Sequence, residues 1–246
     1  MPNCHFCQRE IQPDFNFCPS CSQPLKRRTT DEHLLIAFRN LAEGKVKNAA
    51  AQLKEIVKRE PSNLIALRTL GNVHFHEGKL DEAIRIYKDI LELDPNYEDV
   101  LYDIGVAYYY RGDFNDATQF FRTLLRIDPQ YKAALYRLGL TCFHLGLLDE
   151  SIENLSRLVA LSPKNVMARY HLAVACFSKG DWQKAAREFK TITLKTPENS
   201  ASHYQLGIAY KETGKIKEAI SAFKRALELE PGNQRVLREL EDLDRS

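Results

Sequence analysis

Two kinds of helix-breaking residue keep one spacing along this chain. Prolines stand at Pro61, Pro95, Pro129, Pro163, Pro197 and Pro231, each 34 residues from the next. Glycines keep the same interval at Gly44, Gly78, Gly112, Gly146, Gly180 and Gly214. Proline ends a helix because it has no N–H to donate, and glycine closes a turn because it tolerates positive φ. Six copies of this pair at one period leave room for one architecture, a stack of helical hairpins. The spacing therefore divides residues 30–233 into repeats 30–63, 64–97, 98–131, 132–165, 166–199 and 200–233. Residues 234–246 read as a terminal capping helix, with Val236, Leu237, Leu240 and Leu243 on one stripe and charges on the other.

Numbering each repeat so that its proline is position 32 exposes three further regularities. Position 8 is small: Ala37, Gly71, Gly105, Gly139, Ala173 and Gly207. Position 20 is Ala49, Ala83, Ala117, Ser151, Ala185 and Ala219, and position 24 is large: Leu53, Tyr87, Phe121, Leu155, Phe189 and Phe223. Small residues let the two helices of a hairpin approach, and the large one fills the gap between them. Cys142 and Cys176 share position 11 on the packing face and read as small buried hydrophobes. Trp182 falls in the apolar series at position 17 and is expected in the core.

This pattern resembles the tetratricopeptide repeat (TPR) over residues 30–233, more than four-fifths of the chain. The resemblance implies an all-α fold of six antiparallel hairpins stacked into a right-handed superhelix, with the first helices lining a concave groove. Three residues depart from the family pattern. Arg169 and His203 replace an apolar residue at position 4, and Asn40 replaces an aromatic at position 11, so the first hairpin is expected to be looser.

Ahead of the repeats, residues 1–25 carry Cys4-His5-Phe6-Cys7 and Cys18-Pro19-Ser20-Cys21. Two Cys-x-x-Cys turns supply four thiolates for a tetrahedral zinc site, and a segment this short draws its folding energy from such a metal. The pattern resembles a small zinc ribbon, with Cys4, Cys7, Cys18 and Cys21 as ligands of one structural zinc ion and His5 as a spectator. Redox thiols or a disulfide staple are the competing readings. Paired thiols without a secretory signal favour metal over a staple. Residues 26–29 form a basic linker, and Lys26, Arg27 and Arg28 read first as a solvated hinge.

A net charge of +2 excludes a chain-wide basic footprint for nucleic acid. No apolar run is long enough to cross a bilayer. The expectation is a cytoplasmic protein without membrane contact.

Function is then read from the face left over. Positions 5, 9 and 12 are four and three apart and share one side of each first helix. They hold Arg68, Tyr102, Tyr136, Tyr170 and Tyr204, then Asn72, Val106, Leu140, Val174 and Ile208, then Phe75, Tyr109, Phe143, Phe177 and Lys211. In the family these positions face the groove, where tyrosines beside aliphatic side chains suit an extended or helical apolar peptide. The bland alternative packs the same residues against one another or under a second copy of the chain. A family clamp for acidic C-terminal tails is matched by Arg68, Asn72 and Arg137. It fails at Asp103 and Ala133, where an asparagine and a lysine belong.

The expected function is a protein-interaction scaffold or adaptor with a structural zinc ribbon as a second contact module. Alternatives are a ribbon-led nucleic-acid or transcription-machinery contact, and a non-catalytic regulatory subunit of an enzyme complex. No phosphate loop, nucleophile elbow or helical His-Glu-x-x-His marks it as an enzyme.

Overall fold

A computed structural model describes residues 30–245. Cys4, Cys7, Cys18, Cys21 and the basic linker lie outside the described residues. Every regular element among the described residues is an α-helix. The first helices of the hairpins are α1 (Thr30–Ala42), α3 (Leu64–His76), α5 (Glu98–Arg111), α7 (Lys132–His144), α9 (Val166–Lys179) and α11 (Ser200–Glu212). The second helices are α2 (Val46–Arg59), α4 (Leu80–Leu93), α6 (Phe114–Ile127), α8 (Leu148–Leu161), α10 (Trp182–Lys195) and α12 (Ile216–Leu229), and α13 (Gln234–Arg245) follows. The helices form two compact units divided between Leu93 and Asp94. The first holds the hairpins α1–α2 and α3–α4. The second holds four hairpins and α13.

One local device makes every hairpin. Each periodic glycine adopts left-handed backbone, as Gly112 does at φ 93°. The residue after it then donates back to a carbonyl five residues earlier: Asp113 N to Tyr108 O at 3.0 Å, and Leu147 N to Cys142 O at 2.9 Å. This closure satisfies helix-end carbonyls that would otherwise lack donors. At the starts of α3, α9 and α11, the side chains of Asn63, Asn165 and Asn199 accept from Ala66, Ala168 and Ser202 N at 2.9–3.0 Å.

The hairpin interior follows positions 8, 20 and 24. All six residues at position 20 are fully buried, and so, to within 1 %, are all six at position 24. Burying each large side chain contributes about 1.5–3 kcal/mol. Ser151, the single serine at position 20, keeps its hydroxyl satisfied by donating to Gly139 O at 2.8 Å. Cys142 and Cys176 are fully buried, as position 11 predicts.

The departures from the repeat pattern have local explanations. Arg169 pairs with Glu188 on α10 and donates to Pro163 O at 3.3 Å. His203 places Nε2 3.1 Å from Pro197 O. Both position-4 side chains thus reach back to a proline carbonyl in the loop before their own helix. In the first unit, α1 buries Ala37 alone. At positions 3 and 10 it carries exposed Glu32 and Arg39, where α3 buries Ala66 and Val73. At the other end, Val236 is buried on α13, and Leu240 and Leu243 pack against a cluster containing Ala219, Phe223 and Ala226.

Trp182 is not in the core. It is half-buried, edge-on to Phe177 with centroids 4.8 Å apart. Position 17 opens the second helix at the hairpin end, where solvent reaches it; Ile216 there is 39 % exposed.

Candidate interaction face

In the second unit, Tyr102, Tyr136, Tyr170 and Tyr204 occupy the same place on α5, α7, α9 and α11, and each is half-buried. Their inner edges rest on the hairpin cores. Tyr102 lies 6.0 Å from Phe121, Tyr170 6.2 Å from Phe189, and Tyr204 6.0 Å from Phe223 between ring centroids. Val106 is buried beside this row, whereas Leu140, Val174, Tyr109, Phe143 and Phe177 keep part of their surface. The ladder is therefore anchored by packing on one side and open on the other. Rings held in this way lose little conformational freedom when something covers them.

The helices also bring residues to this face that positions 5, 9 and 12 did not name. The guanidinium of Arg137 lies 5.4 Å from the ring centroids of both Tyr109 and Tyr110. Burial works against its charge, yet hydrogen bonds to the Tyr102 and Tyr110 hydroxyls hold its pKa above the usual arginine value. Nε2 of His144 is 3.0 Å from the Tyr109 hydroxyl, and its ring stacks on Phe114 at 5.0 Å. His171 meets Tyr136 and Tyr170 edgewise, each at 5.6 Å. Burial, followed by the like charge of His144, pushes the His171 pKa down. Arg137 and His171 stand at position 6, Tyr110 and His144 at position 13, each one residue beyond a named groove position. The signal was an adjacent register of the same period.

In the first unit, Arg68 and Asn72 lie half-buried on α3. Oδ1 of Asn72 accepts from the Tyr87 hydroxyl at 2.6 Å, which takes that oxygen into the hairpin's own bonding. Chemically, the second unit's face offers ring surfaces, hydroxyls and the Arg137 guanidinium. Burial raises the Cys142 thiol to about 12 and the Cys176 thiol to about 11, so neither is a ready thiolate. Among the described residues, no cluster of His, Cys, Asp and Glu is arranged to hold a metal ion. No helix there is long and apolar enough to cross a membrane.

A family model for the tetratricopeptide repeat matches residues 40–102, 74–138, 108–160 and 146–209, and a second model of that repeat matches 200–233. The chain belongs to the tetratricopeptide repeat family. TPR arrays are in general interaction scaffolds without catalysis of their own. Among solved structures, a crystal structure of MamA is 29 % identical with a TM-score of 0.64, over 70 % of this chain and 94 % of that one. YrrB is 20 % identical, with a TM-score of 0.70 over 77 % of this chain and 97 % of its own. A TPR protein from Parabacteroides merdae ATCC 43184 is 21 % identical, with a TM-score of 0.66 over 88 % and 99 %. The last two show the shared TPR fold. No curated protein matches the chain.

Proposed function

We propose that this TPR protein is a scaffold that binds an apolar protein segment, extended or helical, along the tyrosine ladder of α5, α7, α9 and α11. The observation that carries this reading is the half-buried state of Tyr102, Tyr136, Tyr170 and Tyr204. Each ring is fixed by the core behind it and keeps an open edge, while Tyr110 and Met167 nearby are more than half exposed. An anchored aromatic row has the composition from which binding hot spots are built. YrrB, which shares the fold, is described as a TPR protein with an unusual peptide-binding site. Tyr109, Leu140, Phe143, Val174 and Phe177 complete the lining on the same helices. Arg68 and Asn72 supply the corresponding positions of the first unit.

The N-terminal block completes the proposal. Cys4, Cys7, Cys18 and Cys21 hold one structural zinc ion, so residues 1–25 form a separate contact module. The chemistry of the donor set supports this, since two Cys-x-x-Cys turns match a closed four-thiolate site. The proposed setting is the cytoplasm, where thiols stay reduced.

Affinity capture with the full chain tests the ladder. Tyr136→Ala with Tyr170→Ala removes the two central rings, each worth about 2 kcal/mol or more at an interface centre. The expected result is loss of the captured partner with helical circular dichroism nearly unchanged. The control changes Lys26, Arg27 and Arg28 together to alanine. Loss of the partner in that control, with retention in the tyrosine variant, moves the binding site to the N-terminal block and rejects the proposal.

A further inference from the structure

The second unit has two open depressions built in the same way, each walled by consecutive second helices with a first helix beneath. The one between α6 and α8 has a volume of about 660 Å³, and the one between α10 and α12 about 800 Å³. Their electrostatics differ. Between α6 and α8, the arginines Arg122, Arg126 and Arg157 share the lining with Glu150 and Glu153. Arg122 there is held by both oxygens of Glu150, at 2.8 and 2.6 Å.

The α10–α12 depression opens beside a smaller cavity, with Lys190 and Tyr210 common to both linings. Together they present Arg187, Lys190, Lys215, Lys217, Lys224 and Arg225 against Glu218 and Glu228. Glu228 is taken by Arg225 at 2.8 Å. Among the described residues, no acidic side chain pairs with any of the other five cations. The excess of positive charge at this one place exceeds the net +2 of the entire chain. Equal repeat positions show where the difference arises: α8 carries Asp149 and Glu153 where α12 carries Lys217 and Ser221.

Apolar side chains stand among these charges. Leu206 is buried on α11, Tyr210 is half-buried with Lys215 Nζ 5.9 Å from its ring centroid, and Leu194 on the α10 wall is 76 % exposed. A leucine this exposed, set among unpaired lysines, is a surface with two unmet requirements, apolar cover and negative charge.

We propose that the α10–α12 depression is a second docking site, taking an acidic protein segment that carries an apolar anchor residue. Charge complementarity selects the acid, and Leu194 on the wall with Tyr210 beneath it selects the anchor. The hollow shape favours a segment over the plane of a bilayer. Glu218 and Glu228 disfavour the unbroken charge of a phosphodiester strand, whereas a peptide can place its carboxylates away from them. This site is separate from the tyrosine ladder and does not depend on it.

The test is fluorescence anisotropy with the full chain and a labelled peptide of glutamate and leucine at helical spacing. Saturable binding that weakens with added salt is expected. Lys190→Glu with Lys224→Glu, both exposed, should weaken binding about tenfold or more without loss of helical circular dichroism. Leu194→Ser should weaken it while leaving the charge intact. Tyr136→Ala with Tyr170→Ala should leave it unchanged, which separates this site from the ladder. Absence of saturable binding, full binding by either depression variant, or loss in the ladder variant overturns the proposal. Tighter binding of a single-stranded oligonucleotide, or of vesicles rich in anionic lipid, also overturns it in favour of that ligand class.

Discussion

Gly105 on α5 and Phe121 on α6 approach so closely that a Cβ built on the glycine would stand 2.6 Å from Phe121 Cε1. The same approach recurs between Gly71 and Tyr87, Gly139 and Leu155, and Gly207 and Phe223. Gly105→Ala sets two effects against each other. Alanine improves helix propensity by about 1 kcal/mol, whereas forcing a methyl into a filled interior costs about 1–3 kcal/mol. Phe121 is fully buried and has little room to retreat, so packing wins. A net loss of about 1 kcal/mol is expected in denaturant unfolding, and Gly105→Ala with Phe121→Val should cost less than the two separate losses added together.

Ala117→Leu enlarges a residue with no exposed surface at the same hairpin interface. Its expected cost is about 1–3 kcal/mol, against less than about 0.5 kcal/mol for Glu92→Ala on the exposed side of α4. Comparable melting shifts for the two variants would contradict the packing described.

His171 makes stability depend on pH. Its folded pKa lies below the ordinary 6.5 because burial disfavours the charged ring, with His144 adding to the effect. Between the folded value and 6.5 the unfolded chain holds the extra proton, so stability rises with pH through that window, is lost on acidification through it, and levels off below the folded value. Unfolding followed from pH 7.5 to about 5 should show this fall, and His171→Gln should flatten it. An unchanged slope would remove His171 from the account.

Cys142 and Cys176 should resist modification. Both are fully buried, and burial raises their thiols to about 12 and about 11. At pH 8, a disulfide-exchange reagent should leave both unmodified in the folded chain and titrate them after denaturation. Mass spectrometry of the labelled peptides distinguishes them from the four N-terminal cysteines.

Elemental analysis tests the proposed metal. The full chain should carry one zinc ion, and Cys18→Ala should lose most of it. The repeats' unfolding should hardly move, since each hairpin depends chiefly on its neighbours. Equal zinc in both proteins would reject the four-thiolate assignment.

Where the helices stop, and which side chains meet inside a hairpin, were legible in the order of the residues. Turn glycines such as Gly112 and the prolines act through their own backbone, and positions 8, 20 and 24 lie within one hairpin. A fixed period therefore encodes the approach of Gly105 to Phe121 and the burial of Cys142 and Cys176. It could not encode what forms between hairpins. That Arg137 spans Tyr109 and Tyr110 and that His144 meets Tyr109 emerged in the packed structure alone. The pairing of Arg122 with Glu150, against the unpaired Lys190 and Lys217, was decided there too. Those outcomes depend on distances between side chains one repeat apart, and a recurring residue type carries no record of which neighbour of opposite charge comes within reach.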